Sequence, residues 1–302
     1  SVKKYLESIQ SKVYKAPGTT RVQLIDGREV SRTAGEVGRG IDTDKTIASL
    51  TDAVKKGEDI HLSVPLTQLQ PKVVYDRQYS NTDAGLAALL AEVSSAKGGY
   101  GISVMELGGR SANTNGNKQF VAASTYKLYV AYAVFKEIEA GRMSWSDGIS
   151  GGKNADQCFT AMIYSSDNPC AKAFGDRIGW QNIEDMMHGL GLSNSTQLSP
   201  SLYTTANDLA LFLYRVENGS LLSSSDKARL TDVMKTQIYR QGIPKGTGVS
   251  VANKVGFIDS YIHDAAIVYG PKGPYVLIIM TNGSSWGGIA DAASQIHTFL
   301  NR

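Results

Sequence analysis

The segment that decides the fold reads Val121-Ala122-Ala123-Ser124-Thr125-Tyr126-Lys127, and a helical pattern follows it as far as Ala140. A short extended segment precedes it, and apolar residues then recur at the spacing of one helix face. A serine and a lysine three residues apart in the first turn of a helix share a face, so the lysine Nζ can reach the serine Oγ. Ser124 and Lys127 are therefore a candidate nucleophile and its base.

This pair has a chemical meaning because a serine hydroxyl is a weak nucleophile until a base removes its proton. Lysine can be that base only if burial and neighbouring charge lower its pKa from about 10.4 to about 7–8. Backbone N–H groups at the helix start also point to where an oxyanion would form. The same spacing occurs at Ser1, Ser94, Ser150 and Ser224, but only Ser124 opens a long apolar helix directly after a strand.

Two further motifs follow in the chain. Ser166-Asp167-Asn168 lies between helical patterns over residues 159–164 and 169–178, so its side chains are predicted to project from an interhelical loop. Lys254-Val255-Gly256 lies on a candidate strand near the C-terminal end. A single Lys-x-Gly sequence is common in this chain, whereas the ordered set of three motifs is not.

A competing signal is Gly283-Ser284-Ser285-Trp286-Gly287, which has the G-x-S-x-G pattern of a nucleophile elbow between a strand and a helix. Such an elbow needs an acid and a histidine later in the chain, and only residues 288–302 follow. Asp291 and His297 would lie on the helix that starts at the elbow, so neither could return over Ser285. We interpret this segment as a turn before the terminal helix.

Composition narrows the class of protein. Hydrophobic residues make up 42% and charged residues 20%, which is ordinary for a soluble globular chain. Thirty-one basic and 28 acidic residues give a formal charge of +3, too balanced to indicate nucleic acid as a partner. With two cysteines and no C-x-x-C or histidine-rich spacing, we expect no metal and no cofactor. The longest apolar runs, such as 276–280, are shorter than a membrane-spanning helix.

The chain length of 302 residues corresponds to about two domains. We expect a small α+β domain over residues 1–78, with a helix over 2–13, a hairpin turning at Asp26-Gly27, a helix after Asp42 and a strand over 61–64. The polar, aperiodic segment 75–83 marks the boundary. Residues 79–302 are predicted to form an α/β (α+β) domain, in which one sheet draws strands from both ends of the domain.

With these motifs in place, residues 84–302 resemble the class A β-lactamase and penicillin-binding serine D,D-peptidase superfamily. Ser124 and Lys127 match its S-x-x-K motif, residues 166–168 match S-D-N, and residues 254–256 match K-T/S-G. Residues 204–210 resemble the start of the helix after that family's Ω loop. The resemblance implies a three-layer fold with a sheet flanked by helices, and serine hydrolase activity.

The resemblance also implies roles for the matched residues. Ser124 would be the acylated nucleophile, Lys127 its activating base, and Ser166 a relay that passes a proton to the leaving group. Backbone N–H groups of Ser124 and Phe257 would form the oxyanion hole. The alternatives are that Ser124 is only a helix cap and that Ser166 belongs only to an interhelical turn.

Substrate binding is implied at four further positions. Asn168 would hold a substrate amide, and Lys254, with Val255 and Gly256 on the same strand, would attract a substrate carboxylate. Alternatively, Lys254 is a solvated strand lysine. Where the family has Thr or Ser, Val255 lacks a hydroxyl, which removes a hydrogen bond to a charged acceptor worth about 1.5–3 kcal/mol. Arg240 and His263 are the nearest residues that could compensate, or they are structural.

A second departure concerns deacylation. No Asp or Glu lies between Asp185 and Asp208, whereas class A β-lactamases keep an Ω-loop glutamate that activates the deacylating water. Gln197 or Asn194 could orient water but cannot act as a carboxylate base. We therefore expect an acyl-enzyme that forms more readily than it is cleared.

The N-terminal region has its own resemblance. Asp26-Gly27, Gly38-Arg39-Gly40-Ile41-Asp42 and the segment 62–64 resemble the peptidoglycan-binding domain found beside L,D-transpeptidases. Its alternative role is that of a spacer or scaffold. Both resemblances imply a secreted or membrane-anchored, cell-wall-associated location, with any signal or anchor upstream of Ser1. In an oxidising compartment, Cys158 and Cys170 could form a disulfide or remain two buried thiols.

Three functional hypotheses follow. The first is a monomeric, penicillin-binding serine acyl enzyme that acts on peptidoglycan peptides ending in D-Ala-D-Ala or on β-lactam-like small molecules. The second is a class A-like β-lactamase with an atypical deacylation route. The third is a catalytically degenerate peptidoglycan-binding scaffold.

Overall fold

A computed structural model of the chain describes residues 2–57, 63–196 and 202–302. The chain divides into two compact units, Ser1–Ser80 and Asn81–Arg302. Within the described ranges, no helix is both long enough and apolar enough to cross a membrane.

The described residues of the first unit form two small sheets and two helices. Strands β1 and β2 are antiparallel, β1 and β5 are parallel, and β3 pairs with β4. In chain order its elements are α1 (Val2–Val13), β1 (Thr19–Ile25), β2 (Arg28–Thr33), β3 (Gly38–Ile41), α2 (Thr43–Lys56), β4 (Leu66–Leu69) and β5 (Lys72–Gln78).

Local sequence signals account for most of this unit. The Asp42 carboxylate caps α2 by accepting a hydrogen bond from the Lys45 N–H at 3.1 Å, and Gly57 ends the helix in the left-handed conformation. Asp26 and Gly27 both have positive φ, as a tight hairpin turn requires, so the predicted helices and hairpin are confirmed. The predicted strand over 61–64 lies outside the described residues at 61 and 62 and is wrong at 63 and 64, since the strand of this region is Leu66–Leu69.

The prediction for the end of this unit is also wrong. The segment 75–83 is not aperiodic coil throughout, because β5 continues to Gln78 in parallel register with β1. Every side chain of β5 is exposed, so the strand carries no alternation of buried and exposed residues by which the sequence could reveal it. Its backbone hydrogen bonds to β1 stabilise it instead.

The second unit carries a five-stranded antiparallel sheet in the order β12-β13-β14-β6-β7. Its elements are α3 (Asp83–Ala96), β6 (Gly101–Glu106), β7 (Ser111–Thr114), β8 (Phe120–Val121), a 3₁₀ turn (Ala123–Tyr126), α4 (Lys127–Glu139), β9 (Gly148–Ser150), β10 (Lys153–Asn154), α5 (Ala155–Tyr164), α6 (Asn168–Ile178), α7 (Trp180–Gly189), β11 (Tyr203–Thr204), α8 (Ala206–Glu217), α9 (Ser224–Thr236), α10 (Ile243–Thr247), β12 (Ser250–Ile258), β13 (Tyr261–Gly270), β14 (Gly273–Asn282) and α11 (Trp286–Leu300).

This sheet confirms the predicted arrangement, since β6 and β7 come from the start of the domain and β12–β14 from its end. Strands β13 and β14 are buried over most of their length without alternation, because both faces of the sheet are covered. Helix α8 packs on β6, β13 and β14. Helix α11 contacts α3, α10 and β13, while α3 also contacts β7 and α10 also contacts β12. Strand β12 is at the edge of the sheet.

Helix α4 is the centre of the helical region. Nine consecutive residues from Lys127 to Phe135 are buried, and the apolar ones belong to one core cluster with α5, α6 and α8. The predicted helix over 124–140 differs at its start, where a 3₁₀ turn precedes the regular helix. Because α4 begins at Lys127 and its first turn is buried, this lysine lies in the protein interior.

A disulfide joins Cys158 on α5 to Cys170 on α6, with Cα atoms 5.1 Å apart. Of the two alternatives that the sequence left open, the structure has the disulfide. Both cysteines are fully buried, and the bond closes the chain segment that contains the Ser166 loop. It limits how far α5 and α6 can separate.

We expect loss of this disulfide to lower the free energy of unfolding by about 3 kcal/mol, because a closed loop of this length restricts the unfolded chain. Chemical denaturation of the wild type with and without reductant measures the effect. A Cys158→Ala/Cys170→Ala double variant should be less stable and should no longer respond to reductant. Equal stability of the reduced and oxidised wild type would contradict a stabilising role.

Candidate active site

The nucleophile candidate, Ser124, lies in the 3₁₀ turn ahead of α4, against strand β12. Ala123, just before it, has φ of 45°, a left-handed conformation that costs a non-glycine residue about 1–3 kcal/mol. The position that precedes the 3₁₀ turn is Ala122, and no side chain caps the turn there. Ser124 is therefore not a helix cap, and its hydroxyl is available to other groups.

The base candidate, Lys127, is fully buried and its Nζ contacts four oxygen atoms. It donates to Ser124 Oγ at 3.1 Å, to Ser166 O at 2.6 Å, to Ser166 Oγ at 3.1 Å and to Asn168 Oδ1 at 2.5 Å. Burial lowers the pKa of Lys127 from 10.5 to about 8, and the charge of Asp167 opposes part of that shift. A fraction of the lysine is therefore neutral near physiological pH and can accept a proton.

In the loop between α5 and α6, one residue caps the next helix and two contact Lys127. Asp167 caps α6 by accepting a hydrogen bond from the Cys170 N–H at 2.8 Å. Ser166 has φ of 62°, and its Oγ and carbonyl oxygen both contact Lys127. Asp167 makes the capping contact of this turn. A purely structural turn therefore does not explain why Ser166 and Asn168 contact Lys127.

Lys254 is buried on β12 and is not a solvated strand lysine. Its Nζ donates to Ser166 Oγ at 2.9 Å and to the Val255 carbonyl at 2.8 Å. Burial, and then the nearby charge of Lys127, lower the pKa of Lys254 well below its ordinary value, against the charge of Asp264. Two lysines therefore bracket the Ser166 hydroxyl, which links Ser124 to Lys254 through a continuous set of groups that can carry protons.

The free edge of β12 faces the site. The Gln237 side chain donates to the Asn253 carbonyl and accepts from the Val255 N–H at 3.4 Å, so these backbone groups point away from β13. Because antiparallel pairing alternates along a strand, the N–H of Phe257 points to the same side. This is the direction that an oxyanion-hole donor at Phe257 requires.

Gly256 allows the strand to approach the nucleophile. A Cβ atom built on Gly256 would lie 2.9 Å from the Ala122 carbonyl and 3.0 Å from the Ser124 N–H nitrogen. A side chain at this position would push β12 away from the 3₁₀ turn. The structure thus brings together Ser124, Lys127, Ser166, Asn168, Lys254, Gly256 and the backbone of Phe257.

The residues proposed to compensate for Val255 are engaged elsewhere. Arg240 donates to Asn253 Oδ1 at 2.6 Å and to the Val251 carbonyl at 2.9 Å. His263 bonds the Val121 carbonyl through Nε2 at 2.8 Å, and burial lowers its pKa to about 4. Both are therefore structural, and Val255 itself is buried.

The segment before α8 is described only in part, and Gln197 lies outside the described residues. Asn194 does not aim its backbone at the site, because its N–H donates to Asp208 Oδ2 at 3.0 Å. Glu184 accepts from Thr196 Oγ1 at 2.8 Å. These two carboxylates, Glu184 and Asp208, hold the described part of the segment in place.

The turn before α11 has the structural role that the sequence indicated. Ser285 caps α11, with its Oγ accepting from the Gly288 N–H at 3.1 Å. Sequence reasoning missed that Trp286 from this turn contacts Phe257, which in turn contacts Tyr239. Gln237 was also missed, since no local motif indicates that a glutamine after α9 covers a strand edge.

In the described ranges 2–57, 63–196 and 202–302, no group of three or more His, Cys, Asp or Glu side chains converges to hold a metal ion.

Known families match both parts of the chain. Residues 84–300 match the model described as the beta-lactamase enzyme family. Residues 1–61 match a model described as "Putative peptidoglycan binding domain". No curated protein sequence matches the chain.

Solved structures share the fold of the larger unit. PBP-A matches with a TM-score of 0.65 at 23% identity, over 70% of this chain and 94% of its own, and a PBP-A mutant in an acyl-enzyme complex with penicillin G matches equally at 0.65. A beta-lactamase from Xanthomonas campestris matches at 0.66 and 21% identity, over 72% of this chain and 98% of its own. These matches confirm the β-lactamase-like fold that the sequence predicted.

Gly256→Ala should slow acylation by about 10²-fold, because the new Cβ cannot fit between the strand and the nucleophile without displacing one of them. The acylation rate with a β-lactam or thioester probe measures this. Gly189→Ala is a matched control, since a Cβ there meets no atom within 4 Å. If both variants acylate at the wild-type rate, the close approach of β12 to the Ser124 turn is not required for acylation.

The acylation rate should rise with pH and level off above about 8. Below that pH Lys127 is protonated and cannot accept the Ser124 proton, and above it the neutral amine can. Single-turnover acylation between pH 6 and 10 measures the profile. Lys127→Arg should abolish the reaction, while Lys136→Ala on the same helix should keep the wild-type profile. A flat profile would exclude Lys127 as the base.

Proposed function

The chain belongs to the beta-lactamase enzyme family and is a serine hydrolase of the β-lactamase and penicillin-binding type, and on that premise we propose that it acts through an acyl-enzyme on Ser124. The observation that carries the proposal is the contact of Lys127 Nζ with Ser124 Oγ at 3.1 Å inside a buried, acceptor-lined site. A neutral lysine at that distance can remove the serine proton directly.

In the proposed acylation step, Ser124 Oγ attacks the substrate carbonyl carbon and its proton passes to Lys127 Nζ. The N–H groups of Ser124 and Phe257 stabilise the oxyanion that forms. The bond from the carbonyl carbon to the leaving nitrogen then breaks, and Ser166 Oγ–H protonates that nitrogen. Lys127 returns the proton to Ser166, which its Nζ contacts at 3.1 Å.

The substrate-binding groups are proposed to lie on either side of this centre. The Oδ1 of Asn168 accepts a hydrogen bond from Lys127. The Nδ2 of Asn168 can then donate to a substrate amide carbonyl. Lys254 lies behind Ser166 and would polarise its hydroxyl. We therefore assign Lys254 a larger part in proton transfer than in direct carboxylate binding.

Deacylation is proposed to be slow. The sequence between Asp185 and Asp208 contains no acidic residue, so it supplies no carboxylate to activate a water. Such an enzyme would bind a β-lactam covalently and release it slowly, as a penicillin-binding D,D-peptidase does. A β-lactamase with another deacylation route is the second candidate, because the family model that matches is that of the beta-lactamases.

The place of action is proposed to be the cell wall outside the cytoplasm. The match of residues 1–61 to a peptidoglycan-binding family supports this location, as does a disulfide within the catalytic unit. The N-terminal unit would hold the enzyme near peptidoglycan peptides, which are the proposed physiological partner.

A fluorescent penicillin should label the protein covalently and persistently, and Ser124→Ala should abolish the labelling because it removes the hydroxyl that is proposed to attack the substrate carbonyl. Gel fluorescence measures the label, and a chromogenic cephalosporin measures turnover. Ser285→Ala is the matched control and should label like the wild type. Rapid cephalosporin turnover would favour the β-lactamase. If β-lactam, ester and peptide probes all fail to acylate the protein, the proposed function is wrong and the hypothesis of a catalytically degenerate peptidoglycan-binding scaffold remains.

A further inference from the structure

Three aromatic residues form a continuous surface beside the candidate oxyanion donor. The rings of Tyr239 and Phe257 lie edge to face with centroids 5.3 Å apart, and those of Phe257 and Trp286 lie 5.9 Å apart. We call these three residues the aromatic shelf. They come from the segment after α9, from β12 and from the start of α11, so the fold gathers them from three separate parts of the chain.

The aromatic shelf is exposed at its centre. Phe257 is 46% exposed and the next residue, Ile258, is 49% exposed, while Ile238 beside Tyr239 is 46% exposed. Large apolar side chains that cluster on a surface indicate a binding surface more often than single exposed ones do. This cluster is continuous with the candidate active site, since the Phe257 backbone faces Ser124 across the same strand edge.

The neighbouring position on the strand is also apolar. Val255 and Phe257 are two residues apart, so their side chains share one face of β12. Val255 offers no hydroxyl to a substrate carboxylate. The adjacent Gln237 already occupies the Val255 N–H, which a substrate could otherwise have used.

The cationic side chains on this side of the site already donate their hydrogen bonds to groups of the protein. Lys254 is buried and donates to Ser166 Oγ and to the Val255 carbonyl. Arg240 directs its guanidinium to Asn253 and the Val251 carbonyl. A carboxylate brought here would lose water without gaining an exposed cation, and that loss is costly.

We propose that the leaving-group end of the substrate is uncharged and apolar, and that it packs on the aromatic shelf. The substrate class is therefore an acyl ester, a thioester or an internal amide whose leaving group continues into an apolar or aromatic portion, rather than a peptide that ends in a free carboxylate. A penicillin carries a carboxylate on the leaving-group side, so it should acylate Ser124 slowly, although the label persists once formed. This inference rests on the proposed function, because it assumes acylation at Ser124. The new bond joins Ser124 Oγ to the acyl carbon, and the bond that breaks joins that carbon to the leaving oxygen, sulfur or nitrogen. The leaving atom takes up the proton of Ser166 Oγ, which Lys127 replaces with the proton removed from Ser124.

Thioesters with one acyl group and three leaving thiols test the proposal. The thiols are mercaptoacetate, mercaptoacetamide and N-benzyl mercaptoacetamide, and the burst of released thiol reports acylation even when deacylation is slow. We expect the neutral amide to react about tenfold faster than the carboxylate. We expect the benzyl amide to gain about another tenfold by burying its ring against the aromatic shelf.

Two variants assign these preferences to residues. Val255→Thr should lower the ratio of neutral amide to carboxylate about tenfold by restoring a hydroxyl donor. Trp286→Ala should remove the benzyl advantage, and Trp286→Phe should retain most of it. Thermal unfolding of each variant, and the reactivity of the small neutral thioester, separate a folding defect from a change in selectivity.

The outcomes distinguish this inference from the function on which it rests. A burst that is absent in Ser124→Ala but equal for the three thioesters, or fastest for the carboxylate, overturns the inference and leaves the acyl-enzyme standing. Unchanged ratios in Val255→Thr and Trp286→Ala overturn it as well. If no thioester gives a Ser124-dependent burst while the probes of the preceding section also fail, the proposed function falls and this inference falls with it.

Discussion

The side chain of Lys127 is fully buried, and an amine in the interior needs oxygen acceptors around it to offset its lost hydration. Four such acceptors surround it, from Ser124, Ser166 and Asn168. The same contacts that stabilise the lysine also position the serine hydroxyl and the interhelical loop. The packing of this region and the proposed acylation therefore depend on the same buried nitrogen, and moving any one acceptor would disturb both.

Other parts of the unit serve to keep those acceptors in place. The disulfide ties α5 to α6 on either side of the loop, and Asp167 fixes the first turn of α6. Lys254 approaches the same Ser166 hydroxyl from β12. Burial, and then repulsion from the nearby charge of Lys127, lower the pKa of Lys254 below its ordinary value. A charge on Lys127 therefore disfavours a charge on Lys254.

Local motifs and periodicity predicted the elements that carry the candidate catalytic residues, because S-x-x-K, S-D-N and K-x-G are short and contiguous in the chain. The sequence could also predict the sheet, since β12 to β14 are long apolar runs. It could not predict strand β5, whose side chains are all exposed, or the contacts of Gln237 and Trp286, which tertiary packing alone brings to one strand edge. The disulfide likewise depends on a Cα separation that only the fold determines.

The edge of β12 shows how a supporting network restricts what a site can bind. Asp264 is fully buried and accepts from the Asn253 Nδ2 at 2.9 Å and from the Ile243 N–H at 2.8 Å, and Arg240 lies on the other side of Asn253. A planar guanidinium whose donors are directed at Asn253 and a strand carbonyl cannot also turn toward a substrate. The cation therefore stabilises the strand that presents the Phe257 N–H, and it is not available for anion recognition. In the proposed function, selectivity at this edge would come from backbone donors and from apolar contact.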